Sequence, residues 1–310
     1  MRKLWLDTDP GFDDWMTWAM LAHDPQFELL GVSIVAGNAP LCATLDNALR
    51  IRQRHGWQFP LHAGCDRPLV QRQETAQDVL GAAGLDTVGR VLPASNGRPS
   101  GLHGATALID CVRAHPGEVT LVAIGPLTNL ATAFAQAPDI APKLREIVLM
   151  GGSTDRGNTT AVAEFNIFAD PEAAAQVFTA GVPISMFGLN LCRQITVGAD
   201  DVARVRSFGT PLAELFADHL AAYVGIALRR GRPRMALYDP VTALWLARPE
   251  LFTLEPAHVA IELAGTHTRG MTVCEFRVPA KAQPNARVAM QVDATPALAH
   301  ALAQLQVALK

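Results

Sequence analysis

The sequence is poor in charge, in lysine and in tyrosine. Of its 310 residues 18% are charged, and Lys+Arg 26 against Asp+Glu 29 leaves a net charge of −3. No basic run concentrates the cations, so neither a nucleic-acid surface nor an anionic-membrane surface is expected. The five cysteines (Cys42, Cys65, Cys111, Cys192, Cys274) are odd in number, scattered and without a C-x-x-C pair. That excludes a disulfide framework and a zinc knuckle, and suits a reducing, cytoplasmic setting. The opening Met-Arg-Lys-Leu-Trp-Leu-Asp reaches an acid after three apolar positions, too soon for a secretory leader. No run approaches the ~18 apolar residues of a membrane span. Apolar side chains, by contrast, make up 49% of the chain, ample to bury against the entropy of ordering. No repeat and no Gly/Ser linker divides residues 1–310, which read as one domain.

Short apolar runs bounded by turn residues alternate with longer stretches of helical period. Strands are expected at Lys3–Leu6, Leu29–Ala36, Val119–Ile124, Ile147–Met150 and Pro183–Phe187. Helices are expected at Asp14–Ala22, Leu41–His55, Ala105–Ala114, Leu127–Gln136 and Pro171–Ala180. Strand–helix alternation with continuous apolar strands predicts an α/β fold, a Rossmann-like, mostly parallel sheet covered by helices on both faces. Its site should lie at the carboxyl ends of the strands. Arg67–Ser100, rich in Gly, Pro and polar residues, reads as a long loop or flap. Residues 200–238 read as largely helical, ending in an arginine cluster (Arg229–Arg234) taken as a solvated helix end. The tail adds strand-like runs and a final helix, Pro296–Leu309.

The stretch LWLDTDPGFDDW places Asp7, Asp9, Asp13 and Asp14 within eight residues directly after the first strand. Four carboxylates so close repel one another, and a hard divalent cation with oxygen ligands relieves that repulsion. Helix capping explains one or two of them but not four. An EF-hand loop is excluded, because its twelfth position, counted from Asp7, is Trp18. A haloacid-dehalogenase-type phosphohydrolase, with Asp7 as nucleophile, also begins with a strand and Asp-x-Asp. It needs a lysine and a late acidic pair, and the only lysines are Lys3, Lys143, Lys281 and Lys310.

Five stretches in order resemble the inosine–uridine preferring nucleoside hydrolases. They are Asp7–Asp14 (DTDPGFDD), Val32–Asn38 (VSIVAGN), Ile124–Asn129 (IGPLTN), the block 148–171 (VLMGGSTDRGNTTAVAEFNIFADP) and Tyr238-Asp239-Pro240. The resemblance runs from residue 3 to about residue 247. It implies a nucleoside hydrolase fold and Ca²⁺-dependent hydrolysis of the N-glycosidic bond of ribonucleosides to ribose and a free purine or pyrimidine base. It implies a Ca²⁺ held by Asp9, Asp14, Asp239 and the main-chain carbonyl of Ile124. Asp13 and Asn38 would then bind the 2′ side of ribose, Asn166 the ring hydroxyls, and Asn158 and Glu164 the 5′-hydroxyl, with Met150 lining that end. It implies a small-molecule nucleoside substrate, salvage of bases, and a homodimer or homotetramer.

Within this reading Asp9 is the general base for the attacking water, because it can touch both metal and water. Where relatives that protonate the base carry a histidine before the last metal aspartate, this chain has Tyr238, and Leu80 stands at a second such position. Tyr238, helped by Tyr223, is the candidate for assisting the leaving base. Taken singly, Asp239 before Pro240 would be a helix N-cap, Glu164 a helix-start acid, and Met150 core packing. His103 and His219 read as capping or surface residues, with His219 within possible reach of the base pocket. Trp15, Trp18 and Trp245 read as core near the site, with tryptophan stacking on a purine a weaker option. A non-catalytic nucleoside- or ribose-binding protein on the same scaffold is the remaining rival.

Overall fold

A computed structural model describes residues 1–277 and 282–310. Strands β1 (Arg2–Thr8), β2 (Phe27–Ile34), β3 (Leu61–Ala63), β4 (Thr120–Ala123), β5 (Glu146–Met150) and β6 (Ile184–Phe187) are joined by helices and pair in parallel. A two-stranded clasp, β7 (Thr196–Val197) with β8 (Met235–Ala236), stands apart from the main sheet. The tail supplies β9 (Phe252–Ile261), β10 (Thr272–Glu275) and β11 (Ala286–Val292). Across the main sheet the order is β10-β9-β11-β6-β5-β4-β1-β2-β3. β11 lies parallel to β6, whereas β9 runs antiparallel to both β11 and β10.

All five expected strands and all five expected helices up to Phe187 form, with ends moved by at most two residues. Leu41–His55 forms as expected and stops at Gly56, whose φ of 68° is the left-handed cap that ends many helices. β3 was not expected. With three residues it is too short to carry a periodic signal. Arg67–Ser100 is a flap with one short helix, Gln77–Leu80. Residues 200–238 are helical over Ala199–Arg206 and Pro211–Arg229, and the last helix runs Ala294–Ala308.

Alternating strand residues feed two cores. Leu4 and Leu6 pack with Trp15, Trp18 and Phe216 on one face, while Trp5 packs with Leu108, Leu121 and Leu130 on the other. Helix Pro211–Arg229 is long and apolar enough to cross a membrane by composition, but 72% of its most apolar window is buried within the protein. Its apolarity belongs to the core.

Chain order fixes where a site can form. From β1 the chain moves outward through β2 and β3, then returns to β4 on the other flank of β1. Loops leaving β1 and β4 therefore part in opposite directions and leave a crevice at the carboxyl ends of these strands, where ligands bind in open α/β sheets.

Candidate active site

The loop after β1 enters that crevice and turns into helix Phe12–His23. Asp14 is fully buried. Its Oδ2 accepts the Gly11 N–H (2.8 Å) and the Asn38 side-chain amide (3.2 Å), and its Oδ1 accepts the Thr8 hydroxyl and the Asp9 N–H. The Oδ2 of Asp9 accepts the Asn38 N–H at 2.7 Å. A Cβ on Gly37 would lie 2.1 Å from that oxygen, and one on Gly125 2.8 Å from Oδ1. Only glycine at these two positions lets the backbone close around Asp9.

Carboxylate oxygens of Asp13, Asp14 and Asp239 lie within 4.8 Å of one another, all buried. Burial, reinforced by their mutual charge, pushes Asp9 and Asp239 well above the ordinary carboxylate range and Asp13 up to about 7, and burial raises Asp14. Carboxylates that cost this much to ionise are stable together only if protonated or neutralised by a cation. An all-oxygen cluster is the donor set of a hard ion such as Ca²⁺, so these residues fit the metal that the resemblance implies. The Ile124 carbonyl accepts from the Asn166 side-chain amide at 3.1 Å.

The same Asn166 amide also donates to the Met150 carbonyl (3.1 Å), which leaves the Asn166 Oδ1 for a ligand. Glu164 caps the short helix Phe165–Ala169. Its Oε1 takes the Asn166 N–H and its Oε2 those of Gly152 and Ile167, while burial raises it to about 7. Asn158 is exposed, and its Oδ1 accepts the Phe165 N–H (3.0 Å), leaving its amide donors free. Asp239 occupies the N-cap position before Pro240 but makes no capping bond. Its carboxylate faces the acidic cluster, so the capping role is not taken up.

A cleft of about 310 Å³ joins these groups. It is lined by Asp9, Asp13, Asn38, Ile124, Met150, Asn158, Glu164, Asn166, Tyr223, Tyr238 and Asp239, together with flap residues 74–76 and 78–80 and several neighbours. Of the residues expected in the site, Asp14 alone stays out of the lining, fully buried. The Tyr223 hydroxyl lies 2.8 Å from the Ala236 carbonyl and 3.3 Å from Asp13 Oδ2. Burial pushes Tyr238 up to about 12 and Tyr223 well above its usual value.

The pattern of the inosine-uridine preferring nucleoside hydrolases matches residues 4–299. This chain belongs to that family. It is accordingly an enzyme, a ribonucleoside hydrolase acting on N-glycosyl compounds. It is 38% identical over 299 residues to the pyrimidine-specific ribonucleoside hydrolase RihB of Shigella flexneri serotype 5b, covering 94% of this chain and 93% of that one. The RihB of Escherichia coli O9:H4 is likewise 38% identical, over 293 residues. Among solved structures, the purine-preferring ribonucleoside hydrolase from Gardnerella vaginalis superposes with a TM-score of 0.93 at 27% identity, covering 100% of this chain and 99% of that one.

For a nucleoside hydrolase of this family several expectations need correcting. Asp7, the nucleophile of the phosphohydrolase alternative, is fully buried and does not line the cleft. Its Oδ2 is held by Ser33 and by Asn129 (2.8 Å). Pleat explains this, since Asp7 points to the face opposite Leu6 and Thr8. His219 is not a surface residue but is buried, its Nδ1 on the Asp86 carbonyl at 2.8 Å. It borders a separate small cavity beside the cleft. His103 does cap its helix, accepting from the Ala105 N–H. Trp15 and Trp18 are core, and no tryptophan is among the described cleft-lining residues. In the arginine cluster, Arg234 pairs with Asp200 and Asp201, and Arg230 lines the cleft. Sequence reasoning missed Arg230, Met235, Phe165 and the flap residues Glu74 and Asp78. Only the unexplained length of the flap pointed toward the last two.

Proposed function

We propose that this nucleoside hydrolase is Ca²⁺-dependent and prefers pyrimidine ribonucleosides, releasing ribose and the free base. The observation that carries the reading is the meeting, at the switch point of the sheet, of mutually close buried carboxylates and a polar cleft of nucleoside size. Asp9, Asp14, Asp239 and the Ile124 carbonyl would hold the ion, with Asp13 close enough to share it. A bound Ca²⁺ would supply positive charge that offsets the carboxylates and orients water and diol oxygens.

The chain's own groups account for the rest. Hydrolysis breaks the bond from C1′ to the base nitrogen, building positive charge on the sugar and negative charge on the base. The carboxylates beside the sugar are therefore worth more as that charge develops than in the ground state. Asp9, fixed by the Asn38 N–H and raised in proton affinity by burial and by its acidic neighbours, takes the proton of the attacking water. Asn38 and Asp13 hold the 2′ side, the Asn166 Oδ1 the ring hydroxyls, and Asn158, Glu164 and Met150 the 5′ end. Tyr238 offers the base a hydrogen bond and a flat face, with Tyr223 behind it.

Pyrimidine preference is supported by the 38% identity to hydrolases named pyrimidine-specific and by the absence of tryptophan from the described lining, which leaves no indole to stack on a purine. Ribose release from uridine, cytidine, inosine and adenosine, measured as reducing sugar with Ca²⁺ and with EDTA, tests both parts. Uridine and cytidine should lead, and EDTA should abolish turnover. Faster cleavage of inosine, or full activity after chelation, refutes the corresponding half.

A further inference from the structure

Among the described residues no histidine lines the cleft to protonate the departing base, and His219 is held on the Asp86 carbonyl. The Tyr223 hydroxyl is spent on Ala236 and Asp13, and burial makes both tyrosines poorer acids than a free phenol. The charge of the lining is also one-sided. Asp9, Asp13, Asp239 and Glu164 stand at the sugar end, and Glu74 and Asp78 stand on the flap. That field favours a cationic sugar but opposes a base leaving with an electron pair.

Among the described lining residues one is basic, Arg230. It follows the last residue of helix Pro211–Arg229 and lies seven residues after Tyr223, so the two share a helix face about 10 Å apart along the axis. Met235 and Tyr238, five and eight residues further on, line the same cleft. In the 229–234 cluster Arg234 is engaged by Asp200 and Asp201, whereas Arg229 and Arg232, like Arg230, carry no ion pair among the described residues but do not line the cleft. Arg230 has no carboxylate partner among the described residues, and it is exposed, so its charge costs the fold little.

We propose that Arg230 is the leaving-group residue of this enzyme, stabilising the departing base as an anion by charge-assisted hydrogen bonds to the carbonyl oxygen next to the glycosidic nitrogen. This rests on the hydrolase reading above and deepens its base-recognition side. The electron pair of the C1′–N bond goes to the base, water oxygen bonds to C1′, Asp9 takes the water proton, and the released base anion is protonated by solvent. A guanidinium donates hydrogen bonds without giving up its proton, so this route needs no general acid. It favours a base with a carbonyl beside the glycosidic nitrogen, as pyrimidines have.

Arg230→Met and Arg230→Lys, compared with the unaltered enzyme on uridine, 5-fluorouridine and p-nitrophenyl riboside, test the assignment. Arg230→Met should lower kcat on uridine by about 10- to 100-fold, less on 5-fluorouridine, and by no more than about twofold on p-nitrophenyl riboside, whose leaving group is stable as an anion. Log kcat should thus fall more steeply with leaving-group pKa in Arg230→Met, and Arg230→Lys should recover part of the loss. Equal losses on all three substrates, or no loss on any, overturn the proposal. An unaltered enzyme that releases ribose from inosine faster than from uridine refutes the pyrimidine reading without touching the Arg230 comparison. One that cleaves no nucleoside removes the underlying reading, and this inference with it.

Discussion

Removing the metal should cost this protein stability as well as activity, and the cost depends on pH. With Asp9, Asp13, Asp14 and Asp239 buried together, an ion that binds the native chain and not the unfolded one stabilises it by about 2.7 kcal/mol at a hundred-fold excess over its Kd. For 310 residues at ~2.1 cal/mol/K per residue the unfolding entropy is about 0.65 kcal/mol/K, so Tm should rise by about 4 °C. The sign with pH follows from the raised carboxyls. Without metal, the folded chain binds more protons than the unfolded chain, so stability falls as pH rises through the ordinary carboxylate range and on through about 7, the value for Asp13. Ion binding must displace those protons, so the Ca²⁺-induced rise should be largest near pH 8 and fade by about pH 5. Scanning fluorimetry across that range, with EDTA or with excess Ca²⁺, reads both trends. In Asp14→Ala the Ca²⁺ shift, the bound metal and turnover should disappear together. An unaltered enzyme whose Tm ignores both EDTA and Ca²⁺ at pH 8, or an Asp14→Ala variant with full metal content, would refute the reasoning.

Asp9→Asn should lower kcat by ~10²–10⁴-fold while a ribose analogue binds nearly as before, provided elemental analysis finds the metal retained. Near-normal kcat in that variant would move the base role to Asp13. Tyr238→Phe should slow uridine by only about 2- to 10-fold, less than loss of Arg230, because one neutral hydrogen bond is removed. A loss as large on p-nitrophenyl riboside would make the tyrosine a shape element only. Outside the cleft lining, the Trp15 indole N–H donates to His55 Nε2 (2.8 Å), an acceptor that must stay unprotonated, and burial lowers His55 to about 3. Its folded pKa lies below its unfolded value near 6.5, so stability is lost as pH falls from about 6.5 toward 3. After allowing for partial exposure the loss is about 1–2 kcal/mol by pH 4, and His55→Gln should flatten the acid limb of a urea-midpoint profile. An unchanged limb would count against it.

Most of what places the site was legible along the chain. Continuous apolar strands such as Leu121–Ala123, separated by helical stretches, specify a parallel sheet because only both-face burial makes such runs stable. That in turn directs attention to the residues just after each strand, where Asp9, Asn38 and Ile124 stand. Local spacing also distinguished the Asp7–Asp14 loop from an EF-hand. Which of its acids meet was decided by tertiary structure alone. The strand pleat turns Asp7 to the far face onto Ser33 and Asn129, and the helix that follows brings Asp13 and Asp14 to Asp239, more than two hundred residues away. The base end was least legible. Arg230 belongs by sequence to an ordinary arginine-rich helix end, and the flap residues to a loop without period. Their convergence depends on a nineteen-residue helix and a folded-back loop meeting over one crevice, a long-range arrangement that no local pattern encodes.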